Sequence, residues 1–258
     1  MSKEYEITTY KNNTLIHNLN FPLKLSHSVI DMWIKESACK AITGKLNATD
    51  KRCFVEAVKI NVADYSFRAK FYRTANLKRK LEAFFIRAES IRNFRTGIRV
   101  FQAGINTAEP LCVWGAWKFG FHQWSVMFSK DLGASLTPLP EYLDSIDPMD
   151  SAKKRAVSWK LAGELAKLHE ARVYVYDPSK NVLVKEVGDD IEFYFIDFDT
   201  VRFFLPLTKK QVTRVLCHCI RPTKNPGMFS HEEIKSYALE YLKARQLEHW
   251  LEDILPHL

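Results

Sequence analysis

The sequence predicts an α+β protein of two lobes, in which a β-rich lobe with one helix precedes a mainly helical lobe. Four short apolar runs in the first half have the length and composition of strands: Cys53–Ile60, Tyr65–Tyr72, Pro110–Trp117 and Trp124–Phe128. Apolar residues at helical spacing occur once among these strands and dominate after residue 150. Gly133 and a Pro-bearing stretch at residues 137–140 mark the change, so we expect lobes at 26–132 and 133–258.

Within the first lobe, the residues Asn61–Asp64 supply turn chemistry, so the first two strands are predicted to form a hairpin. Helical spacing then runs from Leu77 to Gln102, and Gly104 is a natural stop. Residues 1–25 are polar, rich in Asn and weakly periodic, so we expect a loose N-terminal arm.

The second lobe is predicted to begin with a long helix that ends at His169, a residue expected to pack or to cap rather than to catalyse. A loop and a two-stranded hairpin follow, with a turn at Gly188–Asp190. The predicted helices and strands of this lobe are Ala152–His169, Asn181–Lys185, Ile191–Ile196, Thr208–Ile220 and His231–Trp250.

Composition narrows the class of protein. A chain of 258 residues can bury a substantial core in one domain or two packed lobes. Its net charge of +8 favours polyanionic partners such as nucleic acid, phosphorylated metabolites or an anionic membrane surface. The five cysteines lack framework spacing, and neither a signal peptide nor a membrane-spanning run is visible, so we expect a cytoplasmic protein.

Three polar side chains in the second half match the needs of phosphoryl transfer, which requires an acceptor-orienting carboxylate and oxygen ligands for magnesium. Asp177 lies in the loop after the long helix, Asn181 follows four residues later, and Asp197 ends the next hairpin. A hairpin that joins Asn181 to Asp197 would bring all three to one end of a two-stranded ribbon.

The first half offers a lysine that could contact nucleotide phosphates. Lys70 lies on the second strand of the predicted hairpin, and Glu89 and Asn93 lie on adjacent turns of the helix that follows. A lysine that contacts nucleotide phosphates needs a carboxylate partner, and Glu89 is the acid that could supply it.

On these residues the chain resembles the bacterial lipopolysaccharide kinase family, the Kdo and heptose kinases of the lipid A–core region, which have a protein-kinase-like fold. The resemblance covers roughly residues 50 to 245. Four passages carry it: Phe67–Arg73, Arg87–Pro110, Leu165–His169 with Asp177 and Asn181, and Phe195–Asp199.

The resemblance implies a protein-kinase-like two-lobe fold and transfer of the ATP γ-phosphoryl group to a sugar hydroxyl of the lipopolysaccharide inner core. On the matching positions, Asp177 is the catalytic residue, Asn181 and Asp197 bind Mg²⁺, and Lys70 contacts the phosphates. Glu89 is the nearest acid in the matching helix that could pair with Lys70. The position of Asn93, however, better fits the usual distance between that partner and the Gly104-Ile105 pair after the helix. The implied partners are a glycolipid substrate and the anionic cytoplasmic face of the inner membrane.

Two alternatives stay open. A kinase-fold protein could phosphorylate protein, but only eight residues, 200–207, precede the next predicted helix, which leaves little room for a peptide-binding segment. A catalytically silent binding module is favoured by the lack of a Gly-rich loop, for which Gly44 is the one candidate, and by Val175-Tyr176 in the catalytic loop. Nucleic acid ranks lowest, because no recognition motif is visible.

Overall fold

The computed structural model describes residues 4–42, 53–62, 65–73, 88–133, 135–175, 181–188, 190–198, 202–203, 207–220 and 228–258. The chain divides into two compact units. The first comprises Met1–Ile98 and Ala108–Leu132, and the second comprises Arg99–Thr107 and Gly133–Leu258. The short segment Arg99–Thr107, expected in the first lobe, therefore belongs to the second unit.

The first unit is built on a six-stranded antiparallel sheet in the order β1-β2-β5-β6-β4-β3. Each predicted strand is present and is one to five residues longer than its apolar run. The six strands are β1 Tyr5–Tyr10, β2 Asn13–Asn18, β3 Cys53–Val62, β4 Tyr65–Arg73, β5 Pro110–Lys118 and β6 Phe121–Lys130.

The N-terminal segment is not a loose arm, so that prediction is wrong for residues 5–18. Strands β1 and β2 form a hairpin, and β2 pairs with β5 from Thr14 opposite Gly115 to His17 opposite Cys112. The indole N–H of Trp114 also donates to the Tyr10 carbonyl at 3.0 Å. Polar composition concealed these strands, because β1 is an edge strand with half-exposed side chains.

Two helices cover the two faces of this sheet. Helix α1, Leu23–Ile42, buries Val29 and Ile30 in a cluster with Leu15 of β2. Helix α2, Glu89–Gln102, buries Phe94 and Ile98 in a cluster with Ile16, the next residue of β2. Because successive strand side chains point to opposite faces, the helices lie on opposite sides of the sheet. Residues 77–87 of the helix predicted from Leu77 lie outside the described residues.

Helix α2 stops where the sequence predicts it. Gly104 has a φ of +72°, its N–H donates to the Phe101 carbonyl, and the N–H of Ile105 donates back to Val100. These two bonds form a Schellman motif, which needs a left-handed residue at the helix end. Val100 and Ile105 also pack in one cluster, so the turn directs the chain into the core of the second unit.

In the residues that the structure describes, the second unit packs five α-helices with short strands around a core centred on α4 and α6. Its helices are α3 Leu139–Asp144, α4 Ser151–Glu170, α5 Lys209–Cys219, α6 His231–Ala244 and α7 Leu251–Ile254. Its strands are β7 Thr137–Pro138, β8 Val173–Tyr174, β9 Val182–Val187, β10 Asp190–Phe195 and β11 Arg202–Phe203. Strands β7, β9 and β10 form one antiparallel sheet, and β8 pairs with β11.

Helix starts in this unit follow from capping residues. Thr208 and Ser230 each form a capping box, in which the third helical residue, Gln211 or Glu233, bonds back to the cap. The helix predicted over 231–250 ends earlier, because Gln246 adopts a φ of +55° after Ala244. Among the described helices, none combines the length and the apolar composition that crossing a bilayer requires.

Candidate active site

The structure brings Asn181 and Asp197 to the same end of the β9–β10 hairpin. The strands pair in register from Asp190 opposite Val187 to Phe195 opposite Val182. Beyond that last pair, the Ile196 N–H donates to the Asn181 carbonyl at 2.9 Å. Asp197 is the next residue, so the backbones of Asn181 and Asp197 lie at one end of the hairpin, as the sequence predicts.

Asp197 adopts a left-handed backbone conformation with a φ of +58°. This conformation is uncommon for a residue with a Cβ, although Asp tolerates it better than most. The neighbouring residues on both sides are firmly held: the Phe195 N–H donates to the Asn106 carbonyl at 2.9 Å, and the Phe198 ring is buried. Strained residues held by their surroundings concentrate at functional sites, and Asp197 meets this description.

The predicted catalytic residue Asp177 lies in 176–180, outside the described residues. Val175 before this segment is buried, and Asn181 after it is held by the hairpin. The described parts of the chain contain no group of three or more His, Cys, Asp and Glu side chains that could hold a metal. The amide of Asn181 and the carboxylate of Asp197 still suit Mg²⁺, because this ion takes few protein oxygens and keeps water and phosphate ligands.

His169 packs at the end of helix α4, as the sequence predicts. Its ring is buried, and its Nδ1 forms a hydrogen bond of 2.6 Å with the Tyr241 hydroxyl on α6. Burial, with a smaller contribution from the Arg245 guanidinium, lowers the pKa of His169 to about 3. The imidazole is therefore neutral at physiological pH and fixes the helix end just before β8.

Lys70 is half-buried on β4, opposite Met127 of β6. Its ammonium lies 5.3 Å from the centroid of the Tyr72 ring, a cation–π arrangement. The Tyr72 hydroxyl accepts a hydrogen bond from the amide of Asn93 at 2.9 Å. Asn93 is thus tied to the sheet through Tyr72, and its buried amide supports the strand that carries Lys70.

Glu89 is the first residue of helix α2 and is half-buried. A carboxylate is favoured there, because the unpaired N–H groups of the first turn carry partial positive charge. The described geometry places Glu89 and Lys70 in the same unit but assigns neither of them to a nucleotide. Their roles as phosphate-binding residues therefore stay predictions.

A buried polar chain beside Glu89 escaped the sequence analysis. The Ser125 hydroxyl of β6 donates to the Ser90 hydroxyl of α2 at 2.7 Å, and Nε2 of His122 contacts Ser125 at 2.8 Å. Burial lowers the pKa of His122 to about 4, so this ring is also neutral. The chain anchors the first turn of α2 to the sheet, and single polar residues in an apolar strand are the only signal of it in the sequence.

No family model and no curated protein sequence matches the chain. Among solved structures, "WaaP in complex with acyl carrier protein" is similar, with a TM-score of 0.56 and 16% sequence identity. The match covers 80% of this chain and 88% of that chain. Identity this low shows the fold alone. The strand-rich first unit and the helical second unit therefore form a kinase-like two-lobe fold that matches WaaP, the fold class predicted from the sequence.

Proposed function

We propose that this chain is an ATP- and magnesium-dependent kinase that transfers the γ-phosphoryl group to a sugar hydroxyl of the lipopolysaccharide inner core, on Kdo or heptose. The observation that carries the proposal is the backbone hydrogen bond between Ile196 and Asn181, which sets Asn181 and Asp197 at one end of a hairpin. The fold adds support, because the chain has a kinase-like two-lobe fold that matches WaaP.

Each candidate residue has a distinct role in the proposal. Asp177 orients the acceptor hydroxyl for in-line attack, and Asn181 and Asp197 hold Mg²⁺. The metal, when bound, neutralises the charge that develops on the transferred phosphoryl group. Lys70 steadies the phosphates, and Glu89 is the proposed partner of its ammonium. No covalent intermediate on the protein is needed, because positioning and electrostatic stabilisation supply most of the catalysis in phosphoryl transfer.

A sugar acceptor is favoured over a protein acceptor by the short connection after the metal-binding residue. Only 200–207 separate the Asp197–Asp199 segment from the Thr208 cap of helix α5. A compact acceptor needs no long peptide-binding segment. The net charge of +8 also suits an anionic glycolipid at the cytoplasmic face of the inner membrane, where we place the protein.

The first test is thermal unfolding with ATP, with and without Mg²⁺, because a ligand that binds the folded state raises its stability. We expect a rise in melting temperature that needs both ligands and is lost in Asp197→Asn. Asp190→Asn is the matched control, since it removes a carboxylate from the same hairpin at its opposite end. A rise that survives Asp197→Asn would contradict the metal assignment.

The second test separates the acceptors. Purified protein is incubated with labelled ATP and Mg²⁺ together with lipopolysaccharide inner core, or with a mixture of soluble proteins, and phosphate is located by mass spectrometry. Phosphate on the sugar supports the proposal, and phosphate on protein supports a protein kinase. Nucleotide binding without any transfer would instead identify a catalytically silent binding module.

A further inference from the structure

The hairpin that joins β5 to β6 ends in an unusual turn. Lys118 pairs with Phe121, and the two residues between them, Phe119 and Gly120, have φ values of +51° and +79°. Two central residues with positive φ define a type I′ turn, which matches the twist of the strands. The first central position normally holds Asn, Asp or Gly, because other side chains are strained there.

Phe119 is 87% exposed in this strained position. Within the described parts of the chain, the ring has a weak contact with the Lys118 ammonium, which lies 5.8 Å from the ring centroid. Folding does not explain the residue, because an asparagine would suit the turn better and would not expose an aromatic ring to water. Exposure alone is ordinary for a single apolar side chain, but an aromatic residue kept in a strained backbone conformation points to a functional contact.

The neighbouring hairpin supplies an internal comparison. Its turn residues, Lys11 and Asn12, have φ values of +48° and +60°, so the two turns are of one type. Because β2 pairs with β5 through Thr14 and Gly115, both turns lie at the same end of the sheet. One turn has the polar residues expected in water, whereas the other has a phenylalanine.

The two turns carry positive charge, from Lys11 and Lys118. No Asp or Glu occurs in residues 7–30 or 110–130, which include both turns. Asp31 of α1 lies beside the Lys11 turn, where it pairs with Lys11 at 2.6 Å and accepts from the Tyr10 hydroxyl. Lys118 is exposed beside Phe119 and adds a positive charge to the apolar ring.

We propose that the turn Lys118–Phe121 is a membrane contact, in which Phe119 enters the interface of an anionic phospholipid bilayer and Lys118 binds headgroup phosphates. A single aromatic ring beside a lysine suits a bilayer. The ring can enter the boundary of the acyl chains while the ammonium group binds the anionic headgroups. The inference deepens the membrane association within the proposed function and rests on it. Its test measures binding, so it is independent of phosphoryl transfer.

The experiment is flotation of the full chain with vesicles of phosphatidylcholine alone or with about one third phosphatidylglycerol, an anionic fraction that sets a negative surface potential. We expect binding to the anionic vesicles that weakens as salt rises. Phe119→Asn is the decisive variant, since it suits the turn and removes the ring. It should weaken binding about tenfold while the melting temperature holds or rises.

Two further variants separate the ring from the charge. Phe119→Trp keeps an aromatic ring, so it should retain binding and show blue-shifted fluorescence with anionic vesicles. Lys118→Ala should weaken binding about fivefold. Lys130→Ala is its matched control, because Lys130 also lies 5.8 Å from an aromatic ring, that of Tyr65, but at the opposite end of β6.

Three results would overturn the proposal. They are failure of the parent chain to float with anionic vesicles, equal binding by Phe119→Asn and the parent, and equal losses from Lys118→Ala and Lys130→Ala. Capture of an acidic protein through Phe119 without vesicle binding would assign the turn to a protein partner instead. If vesicle binding holds and phosphoryl transfer fails, the membrane contact stands without the kinase activity.

Discussion

The backbone N–H of Ile196 donates to the carbonyl oxygen of Asn181 over 2.9 Å, although fifteen positions separate the two residues. This bond extends the β9–β10 ladder by one pair beyond Phe195 and Val182. It places the backbone of Asn181 opposite Ile196, the residue before Asp197. The candidate metal ligands are therefore held by backbone pairing, independently of any bound ion.

The first prediction separates the carboxylate of Asp197 from its backbone strain. Replacement by glycine removes both, because glycine adopts a positive φ without penalty. We expect Asp197→Gly to stay within about 1 kcal/mol of the parent in unfolding free energy, since relief of strain offsets the lost side chain. The Mg²⁺-dependent rise in melting temperature with ATP should disappear.

Gln246→Gly is the control for that experiment. Gln246 is exposed and has a φ of +55°, close to the +58° of Asp197, but it lies after helix α6. Its replacement should relieve similar strain and leave the effect of ATP and Mg²⁺ unchanged. Retention of the metal-dependent rise in Asp197→Gly would remove Asp197 from the metal site.

The second prediction concerns close packing between β5 and β6. A Cβ at Gly115 would clash with the Trp124 carbonyl oxygen and would lie 2.6 Å from the Ser125 Cβ. Gly115→Ala must therefore shift backbone, and we expect a loss of roughly 1–3 kcal/mol in unfolding free energy by chemical denaturation.

Gly163 provides the opposite case within helix α4. A Cβ there meets nothing within 4 Å. Alanine is the better helix former, so Gly163→Ala should raise the unfolding free energy by about 0.5–1 kcal/mol. Equal effects of the two substitutions would contradict the described contact between β5 and β6.

The third prediction is an acid sensitivity from two buried histidines. Burial lowers the pKa of His169 to about 3 and that of His122 to about 4, below the unfolded value of about 6.5. Below pH 6.5 the unfolded chain binds protons that the folded chain does not, so stability is present above that pH and falls below it. Each histidine should contribute a loss of about 2 kcal/mol between pH 7 and 5.

Denaturant unfolding at a series of pH values measures this loss, and NMR of the imidazole carbons identifies the groups. Both rings should remain neutral in the folded protein at pH 5. Protonation of either ring near pH 6 without unfolding would show that it is not buried as described.

The fourth prediction concerns the buried ion pair between helices α4 and α6. The Lys154 ammonium lies 3.0 Å from Oε1 of Glu233 and donates to the Met228 carbonyl at 3.0 Å. Removal of one partner leaves a charge with incomplete compensation in a largely buried place. We expect Lys154→Met to lower the unfolding free energy by about 3 kcal/mol.

Lys160→Met is the matched control on the same helix, because the ion pair of Lys160 with Asp190 is largely exposed. It should change stability by less than about 1 kcal/mol. Burial raises the pKa of Glu233, but hydrogen bonds from Ser230 and Lys154 outweigh it and hold the pKa below its usual value. The stabilisation of the folded state by ionised Glu233 is therefore present above about pH 4.3 and is lost on further acidification. Equal losses of unfolding free energy in Lys154→Met and Lys160→Met would show that burial of the Lys154 ion pair does not set its effect on stability.

Much of this fold could be predicted, because its elements are encoded by local pattern. Helix α4 was predicted within one residue at each end, and the hairpin β9–β10 within two. The end of α2 at Gly104 required only a residue that tolerates positive φ. The metal-site prediction for Asn181 and Asp197 also depends on a local hairpin, whereas the predicted catalytic residue Asp177 lies outside the described residues.

The sequence by itself determined the fold class, the order of the longer helices and strands after residue 50, and the proximity of Asn181 to Asp197. Each of these depends on residues near one another in the chain. Tertiary structure alone decided that residues 5–18 join the sheet, since β2 needs β5 about a hundred positions away. It also decided the contacts of His169 with Tyr241 and of Lys154 with Glu233. Such partners leave no periodic signal, because folding selects them by the burial and hydrogen bonding of groups that local pattern does not connect.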